Sequence, residues 1–149
     1  MKKQSLRISM MATPLMIVCG LLVSSTSARA ESENGACSNR TLRGDYGSAV
    51  EGLILPAPGV ALPIRGVVMA HYDGDGNFTQ VDHIVFNGIP PTLEWTPGTG
   101  TYQVNADCTG FATASGRRRD LVIVDRGTEY YTMVTVAGRA IPGVQKRQE

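Results

Sequence analysis

His71 and His83 are the two histidines of the chain, so any imidazole proton transfer or zinc chemistry must run through them. The Asp73-Gly74-Asp75-Gly76 run between two strand-like segments reads as a tight hairpin turn. With that turn, Tyr72 faces Phe78, His71 faces Thr79 and His83 faces Val67. The imidazoles then share one sheet face about 13 Å apart, at roughly 3.3 Å per residue. That is too far for one metal ion with ligands near ~2 Å, so no metal site is expected. Val67, Met69, Val81 and Val85 accompany the histidines, while Val68, Ala70, Tyr72, Phe78, Ile84 and Phe86 take the other face. Both faces are apolar, and the pattern leaves open which one is interior. If the histidine face is interior, His83 would orient a ligand or move a proton there. The competing reading is a structural histidine held by a backbone or threonine partner.

A carboxylate and two phenols open the last long strand-like run at Glu129, Tyr130 and Tyr131, and Tyr46 and Tyr102 add further phenols. Such groups at a cavity mouth polarise a carbonyl or accept a proton. The alternative is that the rings are buried and the hydroxyls sit at a rim. Glu129, Tyr131, Tyr102, His83 and Trp95 are the ligand-site candidates; no catalytic residue is assigned. Asp73, Asp75 and Asn77 alternate like the start of a calcium loop, but Phe78 and Ile84 occupy the sixth and twelfth places, where glycine and a carboxylate are required. Arg117-Arg118-Arg119 has the donors to grip a phosphate, and its place at an expected turn reads as a solvated hairpin tip. Ser38, Ser48 and Ser115 lack the flanking glycines of a hydrolase nucleophile elbow.

What must position these groups is a short exported domain. Lys2, Lys3 and Arg7, the apolar run from Ile8 to Val23, and Ala28-Arg29-Ala30 read as a signal peptide over residues 1–30, with 31–149 as one domain. Four of the chain's 14 basic residues lie in that leader, leaving ten against 13 acidic ones, a net charge near −3. A weakly acidic domain lacks the basic face that nucleic-acid binding requires, and no membrane span is expected after cleavage. Cys37 and Cys108 follow the leader, and an even pair in an oxidising compartment is most simply a disulfide. Two separate thiols are the alternative.

The domain reads as all-β. No stretch has helical periodicity, and short runs rich in β-formers recur between Gly, Pro, Asn and Asp. Strands are predicted at 45–53, 62–72, 77–87, 99–105, 110–115, 120–124 and 129–137. Hairpin-like joins imply an antiparallel meander, and seven or eight strands of that kind avoid long open edges by closing into a barrel or splitting into a sandwich, the sequential hairpins favouring the barrel. Two proline-rich stretches, Leu55 to Pro63 and Gly88 to Pro97, read as loops that either cover the barrel mouth or cross its ends.

Three blocks carry a resemblance: Cys37-Ser38-x-x-Thr41-Leu42-x-Gly44-x-Tyr46-Gly47, Asp73-Gly74-x-Gly76-Asn77, and Gly100-Thr101-Tyr102-x-Val104-Asn105-x-Asp107-Cys108-Thr109-Gly110. Together they resemble a family of small secreted proteins of bacteria and fungi, whose form is similar to the eight-stranded, lipocalin-like barrel of allene oxide cyclase. The resemblance implies export, pairing of Cys37 with Cys108, and structural roles for the motif glycines. It implies no catalytic residue, since a shared barrel conveys no activity. The resulting expectation is a secreted or periplasmic barrel holding a small apolar or aromatic molecule, with no cofactor. A cofactor-independent cyclase or isomerase and a surface adaptor are the alternatives.

Overall fold

The structure is a computed structural model and describes residues 36–149, so the signal peptide expected at 1–30 lies outside the described residues. A short 3-10 turn at Asn39–Thr41 leads into β1 (Arg43–Ala57), β2 (Val60–Asp73), β3 (Asn77–Phe86), β4 (Thr96–Val104), β5 (Thr109–Ala114), β6 (Arg117–Val124), β7 (Glu129–Val134), β8 (Arg139–Ala140) and β9 (Pro142–Arg147). Neighbours from β1 to β7 pair antiparallel in chain order, β9 pairs with both β7 and β1, and the pairing of β1 with β2 closes the ring. The result is a closed eight-stranded barrel, with the two-residue β8 extending the wall beside β1.

The first β2–β3 turn is built by one carboxylate. Asp73 Oδ1 accepts the backbone N–H groups of Asp75, Gly76 and Asn77 at 2.7, 3.0 and 3.0 Å. The Asn77 amide adds a further bond, and these donors hold the Asp73 carboxyl down at about 2. The turn gives the register read from sequence: Tyr72 opposite Phe78, His71 opposite Thr79 and His83 opposite Val67. The alternating oxygens therefore serve an Asx-type turn.

Period-two alternation decides which face is interior. Tyr46, Ala70, Tyr72, Phe78, Tyr102, Ala112, Leu121, Ile123 and Tyr130 are buried, whereas Val67, Met69 and Val81 on the histidine face are 48%, 40% and 38% exposed. The condition under which His83 would face the interior is thus not met. By register, Val122, Tyr131, Val144, Ala49 and Val67 form a continuous outward row across five strands.

One end of the barrel is plugged. The Tyr72 ring meets those of Tyr46, Tyr102 and Tyr130 edge-to-face and stacks on Phe78, at centroid distances of 4.9 to 5.8 Å, and packing of this kind adds to the burial of the rings. Gly100 must be small here, because a Cβ would stand 2.5 Å from the Phe78 ring. Residues 37–42 strap this end. The Cys37–Cys108 disulfide anchors the strap, Asn39 Oδ1 accepts the Val104 N–H at 2.8 Å, and the Tyr102 hydroxyl donates to the Leu42 carbonyl at 2.9 Å. Leu42 is fully buried beneath.

Two sequence expectations need correction. The stretch 55–63 is largely strand: β1 and β2 continue past the barrel as a two-stranded arm, with a register shift between Ile54 and Ala57. Prolines are tolerated where the ladder is irregular. The strand predicted at 129–137 ends at Val134, and the chain beyond 137, to which no strand was assigned, supplies β8 and β9; Pro142 is the first residue of its strand, the position where a missing N–H costs least.

Candidate functional site

The alternation that buries Leu121 and Ile123 also turns Arg117 and Arg119 inward, since Arg119 sits opposite Ala112 and Arg117 opposite Ala114. Arg139 faces inward for the same reason, being opposite Ile54 of β1. Above the tyrosine plug the interior opens into a hollow of about 330 Å³ that all three arginines line. Its apolar wall includes Val50, Ile64, Val68, Ile84, Val134 and Ile141. The volume lies at the lower end of the range for small-molecule sites, roughly 300 to 1,000 Å³.

A polar layer crosses the hollow where it meets the plug. The Arg119 guanidinium donates to Gln80 Oε1 at 3.4 Å, and the Gln80 amide donates to Asp82 Oδ2 at 3.0 Å. Arg119 also stands 5.8 Å from the Phe78 ring centroid, so it rests on the aromatic floor. Opposite, Gln145 donates to Thr132 Oγ1 at 3.2 Å, while its Oε1 has no hydrogen-bond partner although the residue is 5% exposed. Beneath this layer the hydroxyls of Tyr72 and Tyr130 share a hydrogen bond of 2.6 Å. Burial pushes both phenols above the ordinary tyrosine range, with the Arg119 charge acting in the opposite direction.

The residues singled out from sequence occupy three separate places. His83 is half-buried on the outer wall, its Nδ1 2.7 Å from the Glu94 carbonyl and its ring 6.2 Å from that of Trp95. That is the structural alternative for this histidine. Glu129 and Tyr131 meet on the outer face, where the phenol donates to the carboxylate and Lys146 lies 3.3 Å away. The Tyr131 hydrogen bond holds the Glu129 carboxyl low, and Glu129 in turn raises the phenol. Tyr102 is in the plug, where burial raises its phenol to about 12. None of the five lines the hollow, and of the two proline-rich stretches, 55–63 and 88–97, only Thr96 and Pro97 at the end of the second do. Among the described residues, no group of His, Cys, Asp and Glu is placed to hold a metal ion.

What sequence reasoning missed is the phase of β6. Arg117, Arg119, Leu121 and Ile123 share one alternating face, and that pattern was the available signal; the run of three arginines at a turn obscured it. Gln145 lay in an unrecognised strand. A scan against protein-family models finds no match to the chain, and a search of curated proteins finds none either. Chemistry at the hollow therefore rests on its own geometry: an apolar wall, an arginine on an aromatic floor and an amide oxygen without a donor.

Proposed function

We propose that this is an exported barrel whose open half binds a small apolar or aromatic molecule without a cofactor. The observation that carries the reading is the hollow of about 330 Å³ between the tyrosine plug and the mouth. A barrel of this strand number is wide enough either to be filled by its own side chains or to hold one small ligand. Here one half is filled and the other is not. Export with cleavage after Ala30, kinship with the secreted family of the Tyr-x-Val-Asn-x-Asp-Cys-Thr-Gly block, and retention of the Cys37–Cys108 bond in an oxidising compartment belong to the same proposal.

Neutral bicyclic aromatics such as 2-naphthamide, indole and coumarin are suitable first probes, followed by thermal unfolding and calorimetric titration. Saturating ligand raises the unfolding midpoint by mass action when it binds only the folded barrel. Val68→Trp, which places a large ring on the inward face, is expected to abolish that shift while leaving the far-ultraviolet β signature intact. If no bicyclic probe, neutral or charged, shifts the wild-type midpoint, the binding reading is wrong.

A further inference from the structure

The hollow is apolar in its walls and cationic in its charge. Arg117, Arg119 and Arg139 face it, and Asp82 is the carboxylate among its lining residues. Asp82 accepts from the Gln80 amide, and Arg119 is bonded to the neutral Gln80 oxygen. Among the described residues, none of these three arginines forms an ion pair, although Arg118, which also borders the hollow, pairs with Asp120 at 2.9 Å and Arg65 on the outer surface pairs with Glu51 at 2.7 Å. Arg119 and Arg139 are half-buried while Arg117 is exposed, and a half-buried guanidinium without a counter-charge is unfavourable unless something neutralises it. The Oε1 of Gln145, in a side chain more than nine-tenths buried in the same wall, also lacks a partner; it is an acceptor, so an ionised carboxylate does not satisfy it and only a donor elsewhere on a ligand would.

We propose, building on the binding reading above, that the ligand is an organic carboxylate whose oxyanion pairs with Arg119 at the floor of the hollow. Its apolar body lies along Val68, Ile64 and Val50 toward the mouth, where Arg117 and Arg139 add attraction for the incoming anion. A planar carboxylate matches the guanidinium fork, and the pair gains strength from the low dielectric of the surrounding wall.

The test compares 2-naphthoate with the isosteric neutral 2-naphthamide by calorimetric titration of the mature domain. Naphthoate is expected to bind at least about tenfold more tightly, the difference made by one charge-assisted hydrogen-bonded pair. Arg119→Gln is expected to remove that preference by lowering naphthoate affinity more than naphthamide affinity, with Arg119→Lys intermediate because a point charge replaces the fork. Arg65→Gln, on the outer surface, should change neither affinity. Near-ultraviolet dichroism reports whether each variant keeps its tyrosine plug; should Arg119→Gln lose it, Arg119→Lys decides, since an unchanged preference in that variant would count against fork recognition. Equal affinity for the two probes in the wild type overturns the carboxylate inference and leaves the apolar reading standing. Failure of both probes to bind overturns both.

Discussion

Gln145 leaves a polar group unmet in the wall of the hollow. Its amide nitrogen has Thr132 as a partner, but Oε1 is buried without a donor, and an unmade hydrogen bond of this kind costs about 1 to 3 kcal/mol. Natural cores retain such groups chiefly where a ligand or a mechanism uses them. Gln145→Met keeps length and flexibility while removing the unsatisfied oxygen. The Thr132 hydroxyl, half-buried at the hollow, stays within reach of other partners. The variant is therefore expected to unfold at a midpoint a few degrees higher, corresponding to about 1 kcal/mol, and to bind more weakly any ligand that offers a donor. Thermal unfolding of the ligand-free protein checks the first effect. A lowered midpoint would mean that the amide contributes more to the wall than its missing bond costs.

At the scale of elements, the strap of residues 37–42 decides whether the barrel has a floor. It brings Leu42 under the tyrosines and carries the Asn39 contacts to β4, and Cys37 ties it to the β4–β5 turn 71 residues away. Closing a loop of that length in the unfolded chain is worth about 4 kcal/mol in the chain-entropy account. The Cys37→Ser, Cys108→Ser double variant should lose a comparable amount in urea unfolding; a loss below about 1 kcal/mol would show that hydrogen bonds and Leu42 hold the strap unaided. The elements differ in how legible they were. The β2–β3 hairpin could be read to the residue, because the turn between Asp73 and Asn77 fixes its register chemically and independently of the rest of the barrel. The interior face could not, because Val67, Met69 and Val81 are as apolar as the residues opposite and only closure of the sheet buries one set. The last strand was hidden because Pro142-Gly143 carries a breaker signature. In the barrel a Cβ at Gly143 would lie 2.8 Å from the Gln145 amide and 2.9 Å from Thr132 Oγ1, so any larger residue must displace those side chains. The hollow was hidden with it, because its lining combines the inward phase of β6 with residues of that strand, a tertiary coincidence that no local motif records.

The barrel has two halves, one filled and aromatic, the other open and charged, and the filled half gives it a specific response to alkali. Tyr72, Tyr102 and Tyr130, three of the chain's five tyrosines, have phenols that burial raises above the ordinary value of 10.0, Tyr102 to about 12. In the unfolded chain these phenols ionise near pH 10, while in the barrel they keep their protons to a higher pH. Below pH 10 both states are protonated and the groups leave stability unchanged with pH. As pH rises from about 10 toward 12 the unfolded chain releases protons that the barrel retains, so stability falls through that window. Loss of the first phenolic proton in the plug places a charge beside the Tyr72–Tyr130 hydrogen bond, and Arg119 is the nearby cation able to offset it. Arg119→Gln should therefore move the alkaline transition to lower pH, while Arg65→Gln should leave it in place. In the wild type, the tyrosinate absorbance of these three phenols is expected to rise in one cooperative step together with loss of near-ultraviolet dichroism. Smooth ionisation of all five tyrosines ahead of that loss would mean that water reaches the plug while the barrel is still closed.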